Sequence, residues 1–141
     1  MDDFDFSQFP KACTLIAEHE IDIELKHLQT IEYAEHNLAT ACIELFYNFR
    51  DGANGFPCHY ELTRYYANKL IEIAYADKTE NRELMMFDIH KLAGLMEGKF
   101  GNYYLAAQEL EMAVRIMNEK LPEEKWDEQI LNILEEYRNY E

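Results

Sequence analysis

Two short stretches carry residue types capable of chemistry. Glu24-Leu-Lys-His27 has the Glu-x-x-His spacing that sets a carboxylate and an imidazole one helical turn apart. Helical carboxylate proteins bind iron through such pairs, together with a second pair and two further glutamates on facing helices. Glu32, Glu35 and His36 lie nearby, but Glu-x-x-His does not recur. The stretch is therefore read as the solvated face of a charged helix, and no metal or other cofactor is expected. Cys58-His59 follows Pro57 at an expected helix start, where a thiol loses its proton more readily. A nucleophile also needs a positioned base and an oxyanion site, and the sequence identifies neither. The expected role of the pair is capping or partial burial. The chain has no phosphate-cradling glycine loop, no G-x-S-x-G and no H-E-x-x-H. No catalytic residue is assigned, and a non-enzymatic protein is expected.

Charge and tyrosine are more informative. Twenty-eight acids against thirteen Lys and Arg give a formal charge of −15 over 141 residues. Residues 1–24 hold seven acids and one base, and residues 119–141 hold eight acids and three bases. Such a field repels nucleic acid and anionic lipid and draws basic proteins inward. Ten tyrosines include the adjacent pairs Tyr65-Tyr66 and Tyr103-Tyr104. Helical neighbours cannot both point into one core, so one of each pair is expected at the surface. Tyrosine gives broad contact area with little entropy to lose, which suits protein interfaces. The expected partner is a basic protein, and the candidate contact residues are Glu123, Glu124, Asp127, Glu128, Tyr65 and Tyr104.

Three cysteines, with no C-x-x-C, argue against a disulfide framework and favour a reducing compartment. The start MDDFDFSQF lacks the basic and apolar runs of a secretory signal, and no apolar stretch approaches the ~20 residues that span a bilayer. A cytoplasmic location without membrane association is expected. Oligomeric state is not legible.

These residues must be positioned by helices. One all-α domain of about six helices is expected, after an acidic lead over residues 1–7. A first helix runs from Ser7-Pro10 to about Glu20. From Asp22 to Arg50 there is no Gly or Pro, and Leu28, Ile31, Leu38, Ala41, Leu45 and Phe49 recur at helical spacing. One long helix and two helices broken near His36-Asn37 fit equally. R-D-G-A-N-G-F-P interrupts, and a helix from His59 to Tyr75 presents Leu62, Tyr66, Leu70 and Ile73. Asp77 and Glu80 have capping-box spacing before a helix bearing Met85, Ile89, Leu92, Met96 and Phe100. Gly101-Asn102 turns into a helix with Ala106, Leu110, Ala113 and Met117 on one face. After Leu121-Pro122 a last helix directs Trp126, Ile130, Ile133, Leu134 and Tyr137 inward.

Within residues 87–120, the run of Gly94, Gly101-Asn102-Tyr103, Ala106, Leu110 and Ala113 resembles a tetratricopeptide repeat, a helical hairpin of about 34 residues. Small side chains at Gly94, Ala106 and Ala113 let two helices approach, while Leu110 fills the gap. The sequence departs from the family at Ala93, at His90 and at Pro122, where a large apolar residue, a Trp and an earlier proline are usual. His90 is expected to pack within its hairpin. A weaker hairpin over residues 38–76 aligns Tyr60 with Tyr103, Thr63 with Ala106 and Leu70 with Ala113. The resemblance implies stacked antiparallel hairpins, over about 80–120 and 38–76, in a short right-handed array with terminal capping helices. In size and acidity the chain is similar to immunity proteins that neutralise secreted toxins, nucleases among them. This implies a stoichiometric inhibitor of a basic partner. The alternative is a repeat adaptor or secretion chaperone that holds a client peptide.

Overall fold

A computed structural model describes Ile16 and residues 27–140. The expected first helix and the acidic lead lie outside the described residues, apart from Ile16, which is helical and buried. All regular structure among the described residues is helical: α1 (Leu28–Glu35), α2 (Ala39–Asp51), α3 (Tyr60–Ala76), α4 (Arg82–Lys99), α5 (Tyr103–Lys120) and α6 (Gln129–Arg138), with a 3-10 turn at Glu123–Lys125. The fold is an all-α arrangement of helical hairpins. The chain divides into two compact units, residues 1–70 and 71–141, with the boundary inside α3.

In the first unit, the choice between one helix and two over residues 22–50 is decided at Asn37. Its φ of 63° is left-handed, a region asparagine tolerates better than most residues. The amide of Asn37 bonds to Ala34 O and that of Leu38 to Tyr33 O, which closes α1 with a Schellman motif. Leu38 leaves the expected stripe as a result and stands exposed. Ile31, Leu45, Phe46, Phe49, Leu62 and Tyr66 are fully buried. Phe49 meets Phe56 edge-on at 4.9 Å and stacks on Tyr66 at 6.1 Å, so α2 and α3 touch through rings. His59 caps α3: its Nδ1 accepts from the Leu62 amide at 3.2 Å, while Cys58 Sγ donates to Arg50 O.

In the second unit, α4 and α5 form an antiparallel hairpin, and α6 packs back along α5. The turn is again a Schellman motif. Gly101 has φ 83°, its amide bonds to Gly98 O, and Asn102 N–H bonds to Glu97 O. Gly94 lets the helices close. A Cβ there would lie 2.7 Å from Leu110 Cγ and Cδ2 and 3.1 Å from Ala106 O. The expected α5 face is the observed one, since Ala106, Leu110, Ala113 and Met117 are all buried. On α4 the depth falls elsewhere. Met85, Ile89, Leu92 and Phe100 are half-buried, while Phe87, His90, Ala93, Gly94, Met96 and Glu97 go deepest. Apolar residues surround this helix on all sides, so spacing does not select the inward face.

Two further expectations shift. Asp77 does not cap α4 in a box with Glu80. Its Oδ1 accepts from the amide and hydroxyl of Thr79, a local turn, and α4 begins two residues after Glu80. Trp126 precedes α6 rather than riding on it, although its ring packs against the Phe87, Ala113, Met117 and Ile130 cluster.

Candidate protein-interaction surface

The connection from α5 to α6 is short and tied at several points. The Trp126 indole donates to Leu121 O at 2.9 Å, the Lys125 amide bonds to Pro122 O, and the Trp126 amide bonds to Glu123 O. Asp127 Oδ1 accepts from the Gln129 amide at 3.1 Å in a local turn just before α6, and its Oδ2 pairs with Lys91 Nζ at 2.9 Å. Asp127 is thus a structural anchor on both sides. Glu123, Glu124 and Glu128 stand exposed on this clamped knuckle and form no ion pair among the described residues. Lys125 is the one base among the residues from Leu121 to Glu128.

At the opposite end of the same hairpin lies an aromatic groove of about 340 Å³. It is lined by Gly101, Asn102, Tyr103, Tyr104, Leu105 and Tyr140. Its wall is built from the core outward. Gly98 has no side chain where a Cβ would collide with the Tyr137 ring, so that ring seats against α4. Tyr137 then touches Tyr103 at 5.6 Å, and Tyr103 stacks on Tyr140 at 4.5 Å with 24° between the planes. Burial, followed by the charges of Glu136 and Tyr103, raises the Tyr137 hydroxyl pKa, so it stays protonated at neutral pH. Tyr104 is 63% and Tyr140 59% exposed. The knuckle and the groove are separated by the length of α5, about 27 Å at 1.5 Å per residue.

Tyr65 belongs to the first unit and is engaged there. Its hydroxyl donates to the Glu35 carboxylate, 2.9 and 3.0 Å from the two oxygens, and Lys69 Nζ lies 5.8 Å from its ring. Its neighbour Tyr66 is the fully buried member of that pair. Tyr65 itself is half-buried, so the expected surface member is missing from that pair; in the second unit Tyr103 is half-buried and Tyr104 lies at the surface.

One polar array escaped the sequence. His90, on α4, bridges Tyr75 of α3 and Glu109 of α5, with Nε2 2.7 Å from the Tyr75 hydroxyl and Nδ1 2.8 Å from Glu109 Oε2. A carboxylate only accepts, so Nδ1 carries the hydrogen. With the hydrogen on Nδ1, Nε2 accepts a hydrogen bond from the Tyr75 hydroxyl, which keeps its proton. The order hydroxyl, imidazole, carboxylate is that of an activated nucleophile. Burial and then the Glu109 charge push the Tyr75 pKa upward, the wrong direction for a phenolate. The observed effect of the array is to tie three helices together. Glu97 is a second buried polar group at this hairpin, and its Oε1 accepts from Asn102 Nδ2 at 3.0 Å.

No group of three or more His, Cys, Asp or Glu with metal-holding geometry occurs among the described residues, and Glu24 of the Glu-x-x-His pair lies outside them. No described helix is long and apolar enough to cross a membrane. Comparison with family models, curated proteins and solved structures gave no match.

Proposed function

We propose that this chain is a non-catalytic binding module that docks a basic protein through its acidic surface. Its mode of action is stoichiometric inhibition, as in immunity proteins that neutralise toxins, where carboxylates take the place of the phosphates a cationic partner would otherwise hold. The observation that supports this best is the clamped knuckle. Three exposed carboxylates, at Glu123, Glu124 and Glu128, are carried on backbone already fixed by Trp126 and Asp127. Preorganised charge raises the rate of encounter with an oppositely charged partner and reduces the ordering cost of binding.

The test starts with capture of the partner from the native host, followed by stopped-flow association against NaCl. The wild-type rate should fall steeply with salt. A protein carrying Glu123→Gln, Glu124→Gln and Glu128→Gln should associate several-fold more slowly at low ionic strength, with a shallower salt slope. An unchanged rate and slope would refute the assignment of the knuckle.

A further inference from the structure

We propose that the groove formed by Tyr103, Tyr104, Leu105 and Tyr140 seats an arginine side chain of the basic partner, which rests on the reading of this protein as a binder of cationic proteins. Four observations converge on a guanidinium. The lining residues are aromatic, apolar or amide, with no cation among them, in a chain of net charge −15. The exposed Tyr104 and Tyr140 rings offer faces to a planar, weakly hydrated cation. Leu105, 43% exposed, gives the aliphatic stem an apolar contact.

The fourth observation is the most specific. Asn102 Nδ2 donates to the buried Glu97 carboxylate, which fixes the amide so that Oδ1 is its remaining acceptor. No hydrogen bond reaches Asn102 Oδ1 among the described residues, and Asn102 lines the groove. The groove therefore sets ring faces beside one unbonded amide acceptor, chemistry that suits the face and the N–H edge of a guanidinium. Of the helix ends at the groove, the N-terminus of α5 carries partial positive charge and opposes a cation, whereas the carbonyl end of α6 and the net charge of −15 favour one. Glu136 acts electrostatically on Tyr137, the ring supporting Tyr103, and Tyr140 follows the negative, carbonyl end of α6. The same pairing occurs within the first unit of this chain, with the Arg50 guanidinium 4.6 Å from the Tyr47 ring centre.

The probes are three short blocked peptides, Gly-Arg-Gly, Gly-Lys-Gly and Gly-citrulline-Gly, titrated into the full-length protein while ring resonances are followed by NMR. The arginine peptide should shift the Tyr103, Tyr104 and Tyr140 rings saturably and more tightly than the lysine peptide. Citrulline keeps the shape without the charge and should leave them unmoved. Replacing both Tyr104 and Tyr140 with Ala should weaken arginine binding roughly 5- to 30-fold, from two exposed cation–ring contacts. Both side chains are largely exposed, so the variant retains its core. Equal shifts from citrulline, equal affinity for lysine, or shifts confined to the Glu123–Glu128 knuckle would overturn the proposal. The triple glutamine variant distinguishes the two readings. It should still bind the arginine peptide normally even if its effect on partner association refutes the knuckle.

Discussion

Replacing Gly94 with Ala isolates the close approach on which the α4–α5 hairpin is built. A new Cβ would lie 2.7 Å from Leu110 Cγ and Cδ2 and 3.1 Å from Ala106 O. Carbon atoms prefer separations near 3.5–4.0 Å, so about 1 Å of relief is needed. Leu110 is fully buried and Ala106 presents backbone, so neither yields without moving α5. Overpacking of this kind costs about 1–3 kcal/mol, while exchanging Gly for Ala inside a helix contributes about 1 kcal/mol in the opposite direction. The expected net loss is about 1 kcal/mol. Gly98→Ala is the internal control, on the same helix with the same propensity gain. Its Cβ meets the tip of a half-buried Tyr137, which can swing outward, so a change within about 0.5 kcal/mol is expected. Urea unfolding followed by Trp126, the single tryptophan and a member of the second unit's core, reports both variants. If Gly94→Ala stabilises the protein by the full propensity gain, the helices do not approach as described.

Cys42 is buried with its Sγ directed at Ala34 O, and burial pushes its thiol up to about 11. Brief iodoacetamide treatment of the native protein at pH 8, followed by peptide mass mapping, should therefore label the exposed Cys58 and spare Cys42; equal labelling would contradict this placement. Tyr75→Phe should cost about 1 kcal/mol, and its effect should couple to Glu109→Gln by about 0.5–1 kcal/mol in a double-mutant cycle only while His90 is present. Coupling that survives His90→Ala would exclude the imidazole as the bridge. The Asp77 carboxyl is held below its ordinary 3.8 by the hydrogen bonds from Thr79. Its contribution is therefore present above about pH 4 and lost as pH falls through the lower folded value. The stability gap between wild type and Asp77→Asn should close on acidification, and a gap constant to pH 2 would refute it.

The parts of this fold legible in the sequence are those whose physics is local. Gly94, Ala106 and Leu110 fall within one hairpin, and small residues at helical spacing carry their own explanation. The α5 face could be read because its polar side is strongly polar. On α4 the apolar residues encircle the helix, and the deepest positions include His90 and Glu97, which hydrophobic periodicity cannot select. The bridge from Tyr75 through His90 to Glu109 joins residues 15 and 19 apart on three helices, so only the tertiary arrangement creates it. The signal available was a histidine three residues after Phe87 and four before Gly94, facing the core of its own hairpin. Asp127 was placed with the surface carboxylates by its acidity, and its pairing with Lys91, 36 residues away, leaves no local trace. Tyr65 was separated from the inward Tyr66, yet its hydroxyl contact with Glu35 spans 30 residues and is equally invisible locally.

The proposed interaction surface would gain its character from what lies between its two ends. α5 sets the knuckle and the groove about 27 Å apart. The Gly94 contact and the His90 bridge hold the first half of that helix against its neighbours, and the cluster of Phe87, Ala113, Met117 and Ile130 holds the second. At one end the Trp126 indole fixes the acids, and at the other the Tyr137, Tyr103 and Tyr140 rings fix the groove. A footprint of roughly 800 Å² on each partner, the size of an ordinary stable interface, is about 30 Å across, wide enough to reach both ends. An extended peptide would need about eight residues, at ~3.4 Å each, to reach from one to the other, and would lose its conformational freedom along the whole span. A folded basic protein with an arginine set about 27 Å from a second cationic patch meets both ends without that loss. For a partner that engages both ends, as proposed, this spacing costs a rigid globular protein less than a flexible segment.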